Sequence, residues 1–412
     1  MENIVMEDSA LSYHLMHPGG DSLPGDPNAA FFLDGTYHLH YIVNTPGFYF
    51  VHITSPDMLH WTWQTTTLHP TFTGHGMFSG TGFLTKEGKP AVIYHGQGSG
   101  RNQIALAQDR CLSAWEKPYP IETINPGGSE ANLPHWDPDC FLIGDTYYAL
   151  SGGHKVPLLR SNDLKTWTNV GDFLRHDLPD VAYGEDISCP NFFPLGKKWV
   201  LLCISHTLGC RYYIGDWDAQ AEQFVPEFHG RMNWRREEQS LFGQPPWRVD
   251  FFAPESVLTP DGRRVMWAWL ATIGKNDGTM STKTIQSLPR ELSLPDDGVL
   301  RIRPLRELET LRHTYVTLFD IALTELTKEV LPTTAPIGQT IATLQGDALE
   351  VFANDRQAMV ALYADYQGKH DLTAFTVGAP TTLKKLETWK LAPTNQGFLE
   401  AQKSRVWEPE TK

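Results

Sequence analysis

This 412-residue chain is poor in cysteine, positive charge and long apolar runs, and each shortage closes a class of explanation. Its five cysteines (Cys111, Cys140, Cys189, Cys203 and Cys210) are odd in number, and no two show CxxC spacing. Neither a disulfide framework nor a paired-thiolate zinc site is indicated, and buried free thiols in a reducing compartment fit better. Acids outnumber bases, 48 Asp+Glu against 34 Lys+Arg, for a formal charge of −14 with no basic patch. Nucleic acid and anionic membrane are therefore disfavoured as partners, while a neutral ligand is compatible. No apolar stretch approaches the length of a membrane span. The N-terminal MENIVMEDSALSY lacks the basic start and apolar core of a secretory signal. The expected location is cytoplasmic, or secreted if a leader has been removed.

Catalytic signatures are also missing. There is no HExxH and no GxSxG, and the His38/His40 pair alternates along a strand without a third ligand at useful spacing. The run Gly96-Gln97-Gly98-Ser99-Gly100 leads into a second strand-like segment, not the helix that a phosphate cradle requires. No metal and no cofactor is expected. Oligomeric state is not legible.

What is present is a repeat. FFLDGTYHLHYIV, FLTKEGKPAVIYH, FLIGDTYYALSG, FFPLGKKWVLLCIS and VLTPDGRRVMWAWL each place a Gly-containing turn between two apolar runs. Aligned on Gly35, Gly88, Gly144, Gly196 and Gly262, they stand 53, 56, 52 and 66 residues apart. The turn-flanking pattern predicts hairpins. A period near 50 with several strands per unit predicts a β-propeller, because one such sheet cannot bury both faces alone. The expected fold is all-β: a five-bladed β-propeller over residues 1–303, a linker helix over 304–313 and a small C-terminal β-sandwich over 314–412. The segment AQAEQFVPEFHGRMNWRREEQSLFGQPPWR reads as a rim-loop insertion of the last blade.

First strands of propeller blades line the central axis, so residues at their mouths converge. Just ahead of the five hairpins stand Asp26, Ser79, Asp137, the Glu185/Asp186/Ser188 group and Asp250. One acid on a strand is ordinarily a solvated surface group; acids sharing a phase of the repeat point to a site. Paired carboxylates suit glycosidic bond cleavage, in which one attacks the anomeric carbon and a protonated partner donates to the leaving oxygen. Mutual repulsion would keep one of them protonated. Trp61, Trp63, Trp136 and Tyr183 are candidates for stacking on sugar, although aromatics in propellers more often pack between blades.

At these residues the chain resembles glycoside hydrolase family 32, the β-fructosidase group. GDPN at 25–28 resembles the family's N-D-P-N-G motif, FSGT at 78–81 its F-S-G-S, WDPD at 136–139 its R-D-P, and SCPNFFPLG at 188–196 its E-C-P segment. DFFAPES, LPREL and LEVFAND follow in family order. The resemblance implies a retaining β-fructosidase acting on sucrose or short fructo-oligosaccharides, with Asp26 as nucleophile and Asp137 holding fructosyl hydroxyls. Asn28, Phe78, Ser79, Trp61, Trp136 and Asp186 would form the sugar pocket. The departures are specific: Gly25 replaces an Asn, Ala29 a Gly and Trp136 an Arg, and Ser188 occupies the position of the acid/base Glu. The nearest acids are Glu185 and Asp186, and Glu185 is preferred for its longer reach. The C-terminal module is short for the family. Two alternatives stand beside hydrolysis: a fructosyltransferase using the same intermediate, and a carbohydrate-binding propeller without turnover. An arabinanase-like activity fits LPREL and LEVFAND less well.

Overall fold

The computed structural model describes residues 12–19, 25–44, 47–175, 178, 185–206, 209–233, 251–270, 285–323, 340–345, 348–362 and 379–409. Five β-sheets make the blades of a propeller. Blade one is β1 (Pro27–Leu33), β2 (Thr36–Val43), β3 (Tyr49–Ser55) and β4 (Thr62–Trp63). A short helix, α1 (Pro70–Thr73), leads into blade two: β5 (Met77–Leu84), β6 (Pro90–Gly96), β7 (Arg101–Leu106) and β8 (Tyr119–Pro120). Blade three holds β9 (Glu122–Ile124), β10 (Asp139–Ile143), β11 (Thr146–Leu150), β12 (Pro157–Ser161) and β13 (Thr166–Asp172), with β9 added in parallel to the outer edge of β13. Blade four is β14 (Ser188–Leu195), β15 (Lys198–Ser205), β16 (Gly209–Asp218) and β17 (Gln223–Arg231). Blade five is β18 (Phe252–Leu258), β19 (Arg264–Trp269), β20 (Arg290–Ser293) and β21 (Arg301–Pro304).

The five aligned glycines all have positive φ, at +86°, +74°, +59°, +60° and +83°, a region closed to most side chains. In blade one, Asp34 (φ +49°) and Gly35 together give the turn whose twist matches a two-residue hairpin. Inner strands then close a ring: β1 lies against β5 and β18, β10 against β5 and β14, and β14 against β18. The N-terminal segment helps close it, with Met16 bridging Ile285 and the Gln286 N–H donating to the Leu15 carbonyl.

Apolar clusters fill the gaps between blades. One joins Phe31 and Phe50 to Tyr94 and Trp115, a second joins Ile93 and Ile104 to Trp167, and a third joins Phe141 and Phe173 to Phe192 and Phe224. Each such side chain contributes roughly 1.5–3 kcal/mol through removal from water. The supposed rim insertion proves to be structured at its start, since Gln223–Arg231 is the outer strand of blade four. Alternating apolar residues at Phe224 and Pro226 were masked there by polar neighbours.

Beyond the blades, a 3₁₀ helix covers Arg306–Leu311. β22 (Arg312–Leu323) pairs with β26 (Thr381–Leu391), while β23 (Thr340–Gln345), β24 (Ala348–Ala353) and β25 (Gln357–Leu362) form a separate three-stranded sheet. That sheet docks on blade five through Glu350, buried 3.6 Å from the Arg290 guanidinium and accepting from the Leu288 N–H at 2.8 Å. A helix the sequence pattern did not suggest, α2 (Gln396–Ser404), seats Phe398 against Trp63 of blade one.

Candidate active site

The inner strands lose their regular pleat at their mouths. Register shifts fall between Asn28 and Phe31, Met77 and Gly80, Ser188 and Asn191, and Phe252 and Pro254. Four non-glycine residues there adopt positive φ: Ala29 (+34°), Asp137 (+29°), Cys189 (+46°) and Ala253 (+47°). Each costs on the order of 1–2 kcal/mol, so their shared position in four blades marks a place where regular geometry is given up. Bulges re-aim side chains, and these gather the mouth residues of different blades.

Asp26 and Asp137 are brought together around Cys189. The Cys189 thiol lies 3.7 Å from Asp26 Oδ2 and 3.6 Å from Asp137 Oδ2, and the Cys189 backbone N–H donates to Asp137 Oδ2 at 3.3 Å. Ser79 Oγ donates to Asp26 Oδ2 at 2.5 Å. Asn28 fixes the loop: its amide donates to the Asp26 carbonyl at 2.7 Å, and its Oδ1 accepts from the Gly80 N–H at 2.9 Å. Asp26 keeps partial exposure, whereas Asp137 is buried.

Burial raises both carboxyls. For Asp26 the bonds from Ser79 and Cys189 act against that rise. Asp137 is pushed up to about 7, first by burial and then by the charge of Asp26, with the Cys189 N–H opposing. Near neutral pH the pair therefore lies where one carboxylate is ionised and its partner holds a proton. Asp26, the more exposed and with the hydroxyl donor, is the better placed to carry the charge.

Of the expected aromatics, Trp136 and Phe78 lie at the mouth. Trp136 is 41% exposed, its ring 5.0 Å from His95 and 6.0 Å from Phe78, and Phe78 stacks on His95 and packs at a tilt against Phe48. Together they form a half-open apolar wall beside Asp137. Trp61 does not belong to it. It is buried, packs edge-on to Trp267 at 6.1 Å, and its carbonyl is pressed against Gly397 of α2, so it is a core residue under the C-terminal helix. Trp63 is likewise buried, donating to the Tyr41 hydroxyl at 2.8 Å. Tyr183 and Asp250 lie outside the described residues.

Glu185 is also not where the expected acid/base would be. Its side chain is buried (6% exposed) in an ion pair with Arg211 of β16, itself 4% exposed. A carboxylate closed off by a guanidinium cannot reach a sugar oxygen in this arrangement. Asp186 is instead held on blade four: Oδ2 accepts from Ser188 Oγ at 3.2 Å and from His206 Nδ1 at 2.5 Å, and Oδ1 accepts from the His206 backbone N–H at 2.9 Å. Burial alone would raise Asp186, but the His206 bonds hold it below the usual carboxylate range. Reciprocally, the Asp186 bond raises His206 against the effect of burial, aided by the charges of Asp137 and Asp26. His206 was missed from the sequence, yet the register carries it: Ser188 pairs with Ile204, which sets residue 206 across from residue 186.

A second buried acidic layer lies deeper on the axis. Asp139 accepts from Thr81 Oγ1 (2.8 Å), the Phe192 N–H (2.6 Å) and the Cys140 N–H (2.8 Å). Glu255 accepts from the Ala30 N–H at 3.3 Å and the Asn191 amide at 3.5 Å. Among the described residues no cluster of His, Cys, Asp and Glu is arranged to hold a metal ion.

With this geometry the comparisons with known proteins agree. Residues 17–304 match the glycosyl hydrolases family 32 N-terminal domain. The chain belongs to glycosyl hydrolase family 32. A probable sucrose-6-phosphate hydrolase of Psychromonas ingrahamii is 30% identical over 339 residues, covering 74% of this chain and 58% of that protein. A sucrose-6-phosphate hydrolase of Vibrio alginolyticus is 27% identical, covering 87% of this chain and 78% of that one. The chain thus spans well under two thirds of the first relative's length. Among solved structures, fructan 1-exohydrolase IIa from Cichorium intybus superposes with a TM-score of 0.72 at 17% identity, covering 94% of this chain and 98% of that one. That likeness establishes the family 32 propeller fold.

Proposed function

We propose that this family 32 protein is a retaining β-fructofuranosidase that removes terminal fructosyl units from sucrose or short fructo-oligosaccharides. The observation that carries the reading is the Asp26–Asp137 pair, two carboxylates from different blades held around one thiol with a proton to share. In this reading the ionised Asp26 attacks C2 of the fructosyl unit and forms a covalent fructosyl-enzyme. Asp137 binds ring hydroxyls, with bonds that strengthen as positive charge builds at C2. Phe78 and Trp136 bound the sugar on one side, while Ser79 and Asn28 hold Asp26 in position. No cofactor enters the scheme. The substrate is neutral, and nucleic acid and membrane are not partners. The five cysteines are free thiols, which supports a cytoplasmic location. The C-terminal strands are read as a small β-sandwich.

A second reading is favoured by one observation: with Ser188 ahead of Cys189 and Glu185 paired to Arg211, the glutamate of the family's E-C-P segment has no counterpart in place. A carbohydrate-binding propeller without turnover would need none. Reducing-sugar release from sucrose, inulin, levan and arabinan, measured in parallel with isothermal titration of the same sugars, separates the two. Release from sucrose or a fructan supports the fructosidase; binding without release from any of the four establishes the second reading. Product analysis at high sucrose distinguishes hydrolysis from fructosyl transfer.

A further inference from the structure

The position preceding Cys189 holds a serine whose hydroxyl can neither donate a proton strongly nor reach outward, because it is spent on Asp186 at 3.2 Å. Asp186 in turn grips His206 at two points, backbone N–H on one oxygen at 2.9 Å and ring Nδ1 on the other at 2.5 Å. A carboxylate on Nδ1 fixes both the ring orientation and the tautomer, and leaves proton exchange with a ligand to Nε2. The ring rests edge-on against Phe252 at 5.9 Å, and the side chain is 37% exposed. Among the described residues Asp186, from the lead-in to β14, contacts it, the carboxyls of Asp137 and Asp26 from the lead-ins to β10 and β1 act on it electrostatically, and β18 presents the apolar Phe252. Asp186 also accepts from Ser188, whose neighbour Cys189 touches both Asp26 and Asp137 with its thiol, so the carboxylate-bound imidazole sits in the same mouth as the carboxylate pair.

We propose that His206, oriented by Asp186, is the general acid and base of this site, in the role that the family's E-C-P segment gives to a glutamate. The proposal rests on the fructosidase reading. In the first step an Asp26 carboxylate oxygen bonds to C2 of the fructosyl unit. The C2–O bond to the leaving sugar breaks, its electron pair stays on that oxygen, and the oxygen takes the Nε2 proton, leaving a neutral imidazole. In the second step Nε2 accepts a proton from water as the water oxygen bonds to C2. The C2–Asp26 bond breaks with its pair returning to the carboxylate, fructose departs and the imidazolium is restored. Asp186 touches no substrate and is a positioning residue.

The test compares wild type, Asp26→Ala, His206→Gln, Asp186→Asn and Glu185→Gln on sucrose and on a β-fructofuranoside of an acidic phenol, with and without azide. General acid assistance is worth roughly 10²–10⁴-fold, so His206→Gln should lose that much on sucrose. It should keep the first step on the aryl substrate, whose leaving group needs no proton, and that activity also certifies its fold. Azide, a nucleophile needing no base, should restore turnover and yield fructosyl azide. Asp186→Asn should move the alkaline limb of the sucrose kcat/KM profile to lower pH, because it removes the partner that raises His206; loss of a merely structural contact would not move that limb. His206→Gln within about tenfold of wild type on sucrose, or the leaving-group pattern appearing in Glu185→Gln instead, would overturn the assignment and leave the fructosidase reading intact. Wild type as inactive as Asp26→Ala on both substrates would overturn both.

Discussion

Asp137, in the lead-in to β10, and Asp139, the first residue of that inner strand, are both buried and both raised above the ordinary carboxylate range, yet they have opposite surroundings. Asp139 is saturated by donors from three sources: Thr81 of blade two, Phe192 of blade four and its own neighbour Cys140. Glu255 likewise ties blade five to Ala30 of blade one and Asn191 of blade four. These deep acids are rivets between blades. Asp137, nearer the mouth, accepts among the described residues only from Cys189 and faces a second carboxylate across it. A raised pKa therefore does not identify a reactive acid here. What separates the two layers is whether the carboxylate's bonding capacity is filled by other blades or left for a ligand.

The sharpest way to break this contrast is a pair of variants. Asp26→Ala should abolish fructoside turnover, by well over the roughly 10⁴-fold that a single acid/base group supplies, with the melting temperature little changed. Asp139→Ala should reverse the balance, leaving three orphaned donors and costing about 2–4 kcal/mol of stability, while the enzyme that remains folded still turns over. Denaturant unfolding combined with kcat on the folded fraction checks both. Turnover surviving in Asp26→Ala would remove the distinction between the layers.

A comparable loss of stability should separate the two tryptophans. Trp61→Ala, which empties a core site under α2, should cost about 3–5 kcal/mol without altering KM in the folded protein. Trp136→Ala, exposed at the mouth, should leave stability unchanged and raise KM several-fold with kcat nearly constant, as expected when a contact is equal in ground and transition states.

The smaller effect is in the pH dependence of stability. Asp139 rises from 3.8 to about 6 on folding because of burial, which outweighs the bonds from Thr81, Phe192 and Cys140. The folded state then holds this proton more tightly than the unfolded state does. Its stabilisation is complete below about pH 4 and is lost as pH rises toward about 6, by no more than roughly 3 kcal/mol. Melting curves of wild type and Asp139→Asn should therefore converge or cross between pH 4 and 6 and run parallel above pH 7 as far as this group is concerned. A constant offset throughout would show that Asp139 is ionised in the fold at all these pH values.

The hairpins were legible because each turn, two residues long in blades one, three and four and longer in blades two and five, places a glycine at positive φ, and these glycines recur 52 to 66 residues apart. Asp26, Ser79 and Asp137 were legible from their shared phase ahead of those turns. The bulges were not, since Ala29, Asp137, Cys189 and Ala253 carry positive φ on residue types that give no sign of it. That irregularity is also why Glu185 could not be placed: distance along the chain suggested reach, whereas the fold turned its carboxylate to Arg211 on a strand more than twenty residues away. Trp61 failed for a related reason, because α2, which covers it, comes from the far end of the chain. His206 lay within reach of register counting, but only once Ser188 was known to pair across the β14–β15 hairpin.

In the proposed fructosidase the upper carboxylate layer does covalent chemistry and the lower one holds blades together. Rapid acid quenching of the wild-type protein during steady-state sucrose turnover, followed by peptide mass spectrometry, tests it directly. A mass increase of one anhydrofructosyl unit on the peptide containing Asp26, absent from Asp26→Ala, is the predicted result. An adduct on Asp139 or Glu255, or sucrose turnover with no adduct on the Asp26 peptide at any quench time, would contradict it.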